Sequence, residues 1–462
     1  MIKSDNRVSF TNLREKFPVF TYESFSFKIH ENQLSFGFIF RLNDDLIFKP
    51  ESKIIVPQIP QLRENIQLLL SNIVFNIGLI ELVSYWKATC SPTISIKAGS
   101  LTAEQAEWWK DLYYNGLGEF FYLNSIHVNK SDFVNITSDG PSYDRVTCSL
   151  RDEYIVPVGG GKDSAVTLQL LKDAGYMISP LIINPRGATI ETVKQAGIPL
   201  SEVITIKRSI DPLLLKLNDE GFLNGHTPFS AMLAFYSLAT AALTDKKHIA
   251  LSNESSANEP TIPGTGINHQ YSKSFEFESN FRDYYSKYIN DGFNYFSFLR
   301  PLDELQIVTI FSKLDQYHKV FRSCNVGSKT DSWCGNCPKC LFTHIMLSAF
   351  KGKDYADSII GTRMLDKGDM TSAFDELSGI SEIKPFECVG TLNDVQTAMS
   401  MIIQSTDENN MPLLAKRFKE KMLIEPDEIS AFEDELDRIY QLHNKYHFLN
   451  PELFNILKEA LK

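Results

Sequence analysis

Cysteine is scarce in this chain and unevenly placed. Seven occur in 462 residues, and four of them fall between positions 324 and 340. That clustering argues against a disulfide frame and for a reducing compartment and a metal. Positive charge is also in deficit. Lys and Arg total 46 against 57 Asp and Glu, a formal net charge of -11. A general nucleic-acid or membrane-surface binder would usually show a basic face, so neither partner is expected. A long uninterrupted apolar run is missing too. The greasiest stretch, Ile66 to Trp86, is broken by Gln67, Ser71, Asn72, Asn76 and Glu81, and it reads as a buried helix rather than a membrane span. Met1 to Thr11 is polar, with no apolar core and cleavage site behind it. No secretory signal is therefore expected, and the cytoplasm is the expected location. The rest is ordinary: 43% hydrophobic and 22% charged residues, in a length that allows two or three domains.

Hydrophobic periodicity divides the chain. Phe25, Phe27 and Ile29 alternate with polar residues, and Leu34, Phe36, Phe38 and Phe40 do so again after His30-Glu31-Asn32. These predict adjacent antiparallel strands, with weaker runs at Leu46 to Phe48 and Ile54 to Val56. Helical spacing follows at Leu62 to Trp86 and Ala103 to Leu112, so residues 1–150 are expected to form an α+β domain. The aromatic stretch Tyr113 to Tyr122 reads as core. From Tyr154 strands and helices alternate: strand Met177 to Ile183, helix Ala188 to Ala196, strand Glu202 to Lys207, helix Phe229 to Leu243, strand Ile249 to Ser252. Repeated βα units predict a doubly wound parallel sheet over 151–350. After Phe350 the chain reads as helices (Tyr355 to Leu365, Val395 to Ile403, Leu413 to Met422, Ile429 to Leu442, Glu452 to Leu461), a helical C-terminal region over 351–462.

The most informative stretch is Tyr154-Ile155-Val156-Pro157-Val158-Gly159-Gly160-Gly161-Lys162-Asp163-Ser164. An apolar strand ends in three glycines, and Asp163 and Ser164 open a helix. Glycines there let backbone N–H groups turn inward, and the helix directs its positive end at the same spot, which makes an anion cradle. Val156 and Asp163 break the Walker A spacing, and Ser164 stands where a dinucleotide fingerprint needs a third glycine or alanine. The segment resembles the Ser-Gly-Gly-x-Asp-Ser loop of the ATP-pyrophosphatases, with Gly159 in place of the first serine. That resemblance implies ATP held by Gly159, Gly160, Gly161, Lys162, Asp163 and Ser164, with attack of a substrate oxygen on the α-phosphorus.

In a doubly wound sheet, ligands sit beyond the carboxyl ends of the strands. Asn184 follows the second strand, placed for the base or ribose. Asn253, Glu254, Asn258 and Glu259 follow the fourth, where Glu254 or Glu259 can reach magnesium or the acyl acceptor; a plain polar loop is the alternative for each. His269, Lys273 and Arg282 lie among aromatics in or near Ile267 to Glu278, with Arg300 beyond, and offer charge-assisted donors to an anionic substrate. His226 precedes a helix, where a lone histidine reads as structural. Cys388 also precedes a helical pattern, where the dipole would lower a thiol pKa; a buried inert cysteine is the alternative.

Cys324, Cys334, Cys337 and Cys340 supply two overlapping Cys-x2-Cys pairs and a fourth thiol, a donor set for tetrahedral structural zinc. An iron–sulfur cluster or free thiols are the alternatives. The spacing is similar to the zinc loop of the 7-cyano-7-deazaguanine synthases, themselves ATP-pyrophosphatases.

The order of Pro-Val-Gly-Gly-Gly-Lys-Asp-Ser, Ser-Asn-Glu-x-Ser-Ala-Asn-Glu, Asn-His-Gln-Tyr-Ser-Lys-Ser-Phe-Glu-Phe-Glu, Cys-Gly-x-Cys-Pro-Lys-Cys and Pro-Phe-Glu-Cys-Val-Gly-Thr resembles the UDP-N-acetyl-α-D-muramoyl-L-alanyl-L-glutamate epimerases of peptidoglycan synthesis. The resemblance implies ATP- and Mg2+-dependent inversion of the terminal L-glutamate of a UDP-linked muramoyl dipeptide, with release of AMP and diphosphate. It implies Lys162 and Asp163 at the nucleotide. Cys388, His269 and Lys273, in that order, are the candidates for moving the α-proton. Two other readings stay open: a nitrogen- or sulfur-inserting ATP-pyrophosphatase acting on a base or tRNA, and a non-catalytic nucleotide sensor.

Overall fold

The computed structural model describes residues 3–61, 64–262, 266–381, 385–387, 389–422, 439, 441–442 and 444–462. The protein has a mixed α/β fold with parallel and antiparallel strands and a helical C-terminal region. The strands are β1 (Val19–His30), β2 (Gln33–Arg41), β3 (Ile47–Phe48), β4 (Glu51–Ile55), β5 (Thr93–Ile96), β6 (Asn135–Ser138), β7 (Arg151–Pro157), β8 (Ile178–Ile183), β9 (Ile204–Arg208), β10 (Lys246–Leu251) and β11 (Asn294–Ser297). The chain divides into two compact units. The first holds Met1–Ile155, Ser201–Ile249 and Gly266–Tyr295; the second holds Val156–Leu200, Ala250–Thr265 and Phe296–Lys462. These units do not break at 150 and 350, where the sequence pattern changes.

In the first unit the two aromatic strands pair as their alternation requires. Phe25 faces Phe38, Phe27 faces Phe36 and Ile29 faces Leu34 in antiparallel β1 and β2, around a turn in which Glu31 takes φ 51°. Leu34, Phe36, Phe38 and Phe40 all point to the buried face. The order continues β9-β4-β2-β1-β5-β6, with β1–β5 and β5–β6 parallel. Here the structure departs from the expected all-parallel sheet: β9 pairs antiparallel with β4, Ile54 opposite Ile206. The alternation in Ile204-Thr205-Ile206 specifies a buried face but neither a neighbour nor a direction. Residues 51–55 and 204–208 thus share one sheet, so the N-terminal strands do not stand apart from the later ones.

The helix Ile66–Trp86 packs inside this unit, with 83% of its apolar window buried. Its one acid explains why it is not simply grease. Arg208 Nε and Nη2 donate to Glu81 Oε1 and Oε2 at 2.6 and 2.8 Å, and the Tyr236 hydroxyl donates to Oε1 at 2.7 Å. Removing one partner of such a buried pair costs about 3–5 kcal/mol.

The second unit carries the glycine loop and the thiols. Val158 N–H donates to Leu181 O at 2.8 Å, which ties the start of the loop to β8. Helix Lys162–Asp173 follows, and helix Gly187–Gln195 comes after β8. Toward the C-terminus, helices Pro338–Lys351, Lys353–Ile360, Thr371–Ser378, Leu392–Gln404 and Leu413–Met422 enclose a core that includes Leu341, Ile345, Phe374, Met399 and Phe418. Helix Pro451–Leu461 comes last. Of the expected helix Ile429 to Leu442, nearly all lies outside the described residues.

Candidate functional site

The loop geometry in the second unit is set by glycine. Gly160 sits at φ +81°, and a Cβ there would meet backbone atoms of Ala188 and Thr189 at 3.0 Å, so only glycine fits without strain. Arg322 N–H donates to Gly160 O at 2.8 Å. At Gly159 a Cβ would meet nothing within 4 Å, so that side of the loop is open. Gly161 is the N-cap of helix Lys162–Asp173, and no side chain caps that end. The contrast with helix Gly187–Gln195 is informative. There the Asp331 carboxylate accepts from the Gly187 and Ala188 N–H groups, each at 2.9 Å, so an anion is already built in. The helix behind the glycines keeps its first-turn N–H groups without such a cap.

Lys162 is 2.5 Å from Asp163 Oδ1 and 2.6 Å from Glu304 Oε1, with its side chain 12% exposed. Burial works against its charge, but Asp163 and Glu304 outweigh burial and hold its pKa above the ordinary value. Glu304, the first residue of helix Glu304–Phe311, is pushed well up by burial despite Lys162. Two further buried acids have raised pKa values. Burial takes Glu254 to about 7 while Ser256 N–H donates to it at 3.1 Å and the Ser256 hydroxyl donates as well. Asp394 is also raised to about 7, by burial and then Asp303, although Thr391 N–H and Oγ1 each donate to it at 2.7 Å. Several carboxylates around one lysine suit a divalent cation and a polyphosphate better than a plain core.

The remaining sequence candidates are scattered in their roles. Asn184 stands just after β8 at φ 46°, the left-handed region that asparagine tolerates. Ser164 Oγ donates to Gly161 O at 3.0 Å. Asn253 donates to Ser297 Oγ at 3.0 Å, and Asn258 and Glu259 are exposed. Arg300 is fully buried and donates to Glu254 O at 2.6 Å, which fixes the turn that carries Glu254. In the first unit, Arg282 donates to Asn294 Oδ1 at 3.0 Å and to Tyr295 O, a structural use. Lys273 Nζ lies 3.5 Å from Gln270 Oε1. Cys388 lies outside the described residues.

His269 is the candidate with unexpected company. Its Nδ1 meets Glu119 Oε2, and His226 Nδ1 lies 3.0 Å from the same oxygen. The imidazole centroids are 4.8 Å apart. Burial pushes His226 down to about 4, against the pull of Glu119. His226 is therefore not a lone structural histidine, and Glu119, within an aromatic stretch that reads as core, belongs to a polar cluster. Glu304, Asp394 and Glu119 escaped the sequence reading; Glu304 follows Asp303 in a mixed stretch that carries no signal, while Glu119 is a solitary acid in the run Leu117 to Phe121.

The four thiols do come together. Cys324, Cys334, Cys337 and Cys340 place their Sγ atoms within 4.8 Å of one another, and Cys334 Sγ is 3.7 Å from Cys340 Sγ. A tetrahedron built on metal–sulfur bonds of about 2.3 Å has an edge of about 3.8 Å, so the donor set fits a metal ion. Gly335 supplies the tight turn at φ +59°, where a Cβ would press on Thr362 at 2.8 Å. Cys337 caps helix Pro338–Lys351, accepting from Cys340 N–H at 3.4 Å. Contact with Cys340 is the main cause that draws the Cys337 thiol down to about 5.

Comparison with known proteins places the chain in a family. The MurL N-terminal domain matches residues 11–298 and the MurL C-terminal domain matches residues 320–430. Three relatives carry the name UDP-N-acetyl-alpha-D-muramoyl-L-alanyl-L-glutamate epimerase. One from Xanthomonas oryzae pv. oryzae is 35% identical over 74% of this chain and 76% of its own length. One from a Micromonospora strain is 33% identical over 72% and 75%. The third, from Salinispora tropica, is 31% identical over 86% and 87%. The chain belongs to the MurL family.

Proposed function

We propose that this protein inverts the terminal L-glutamate of UDP-N-acetylmuramoyl-L-alanyl-L-glutamate to D-glutamate, at the cost of one ATP, during peptidoglycan synthesis. The observation that carries this reading is the match to epimerases along most of the chain, including the stretch that builds the uncapped glycine loop. The chemistry gives the fold its purpose. A hydrogen α to a carboxylate is hard to remove because the carbanion would sit beside a negative charge. Attack of that carboxylate on the α-phosphorus expels diphosphate and leaves an acyl-adenylate whose carboxyl group no longer carries charge, so its carbonyl accepts the electron pair as an enolate. A base takes the α-proton, an acid returns one to the opposite face, and water splits the anhydride to the D-product and AMP.

In this reading, an ATP-pyrophosphatase type of core, the backbone of Gly159, Gly160 and Gly161 with Ser164 cradles the β,γ-phosphates. Lys162 offsets charge on the departing diphosphate, and Asn184 meets the base or ribose. Magnesium would be held by Asp163, with Glu254 as a second candidate carboxylate, and would supply positive charge against the phosphates. Asn253, Asn258, Glu259, His269, Lys273 and Arg282 are the substrate-side candidates. Cys388, His269 and Lys273 remain the candidates for the α-proton. Zinc in the four-thiolate site has a structural role, since four ligands leave no position for a substrate.

Incubation with ATP, magnesium and the UDP-linked L-Ala-L-Glu precursor, followed by chiral analysis of the glutamate, is the direct test. The expected result is D-glutamate with AMP and diphosphate formed together. Inversion without AMP would leave the epimerase and remove the adenylate; AMP without inversion would do the reverse.

A further inference from the structure

Adenylation gives no role to Glu119 or His226, yet the first unit goes to some length to bring them together with His269. Two glycines, Gly116 and Gly225, make the close approach possible, and a third lies beside them at van der Waals distance. A Cβ on Gly116 would meet Pro228 at 2.9 Å, two residues from His226. One on Gly118 would already be in van der Waals contact with Ile267 at 3.6 Å, next but one to His269. Gly225, at φ +153°, would meet Phe120 at 3.0 Å. Side-chain bonds then hold the assembly: Asn124 Nδ2 donates to Asn224 O at 3.2 Å, and Lys87 Nζ donates to Gly225 O and to Thr227 Oγ1 at 2.7 Å.

We propose that Glu119, His226 and His269 form a binding site for a divalent first-row metal ion, zinc by preference, distinct from the four-thiolate site. The ligand atoms, one from each residue, lie within 4.8 Å of one another. His226 Nδ1 and Glu119 Oε2, 3.0 Å apart, are close to the edge of about 3.3 Å that bonds of about 2.0 Å give, while His269 Nδ1 lies in direct hydrogen-bond contact with the same oxygen and must draw back for an ion to enter. Charge points the same way. The Glu119 side chain is 3% exposed, and among the described residues its ion-pair partners are the two imidazoles. Buried Lys87 feels the Glu119 charge but donates to Gly225 O and Thr227 Oγ1 rather than to the carboxylate, and a cation bound directly to Glu119 would satisfy both imidazole nitrogens as well. Two imidazoles and one carboxylate are borderline donors suited to zinc, and three protein ligands leave an open position for water or a carboxylate oxygen. An ion on Nδ1 makes His269 a ligand and takes it off the list of α-proton bases, which leaves Cys388 and Lys273.

Cobalt titration of the chelator-treated full-length protein separates the two sites. Thiolate-bound cobalt gives an intense near-ultraviolet charge-transfer band, whereas cobalt on imidazole and carboxylate gives only weak visible bands. The wild type is expected to bind one equivalent more than is accounted for by the thiolate band. The near-isosteric Glu119→Gln and the smaller His226→Asn, each first checked for the native fold by circular dichroism, should each lose that equivalent and retain the band. Cys337→Ser should do the opposite. A wild type whose cobalt is all thiolate-bound, or a Glu119→Gln protein with unchanged stoichiometry, overturns the site. Neither readout depends on epimerase activity, so failure here and failure of the epimerase reading are distinguishable.

Discussion

Lys162 and Glu304 meet at 2.6 Å, with the glutamate side chain 3% exposed. The loop lysine is therefore held by a buried acid as well as by its neighbour Asp163, and its ammonium is fixed by the fold itself. Removing the charge by Lys162→Met should cut diphosphate release by about 10²–10³-fold, as expected for loss of a group that stabilises developing charge. It also strands Glu304, so stability should fall by about 3 kcal/mol in urea titrations. The double variant Lys162→Met, Glu304→Gln should regain most of that stability and none of the activity. Equal stability of the single and double variants would show that the pair does not act as one.

The glycines predict a sharper contrast. Gly160→Ala forces a Cβ into left-handed backbone and against Ala188, so about 1–2 kcal/mol of stability and nucleotide binding should go together. Gly159→Ser puts its hydroxyl into open space, and the variant should fold and bind ATP at least as well as the parent. Fluorescent nucleotide titration with a thermal melt compares the two.

Asp394 makes stability depend on pH. Burial and Asp303 raise its folded pKa from 3.8 to about 7, so between those values the folded protein holds a proton that the unfolded chain has released. Its contribution is full below the lower value and is lost as pH rises through the higher one, with a slope of about 1 kcal/mol per pH unit. Asp394→Asn should flatten that slope in urea titrations run between about pH 4.5 and 7.5. A wild-type slope unchanged by the substitution would place the titration elsewhere.

Cys340 is fully buried among the four thiols. Cys340→Ser, or prolonged chelation, should release the ion and destabilise the helices that follow by about 3 kcal/mol or more, since binding energy at a structural site is folding energy. Metal content and the melting profile, measured on the same sample, test the link.

What was legible in the residues was what lies together along the chain. Gly159 to Ser164 and Cys334 to Cys340 are contiguous, and the strand–turn–helix of the first and the gathered thiols of the second follow from spacing, because a turn of a few residues can be built from local φ preferences. The β1–β2 pairing was readable for the same reason: alternation and a two-residue turn set its register. Cys388, a contiguous reading too, lies outside the described residues.

Partners far apart in the chain were not legible. His269 meets Glu119 across 150 residues, and Glu304 meets Lys162 from a helix start more than a hundred residues away, where it looks like one of two ordinary first-turn acids. β9 showed a buried face but not that β4 would be its antiparallel neighbour. The amino-acid order alone determined the glycine turn, the gathering of the thiols and the aromatic hairpin, since each is closed by short-range geometry. Tertiary structure decided which buried acids face which bases, because a charge inside a protein takes its pKa and its partner from whatever packing sets beside it, and one sequence window holds no record of that.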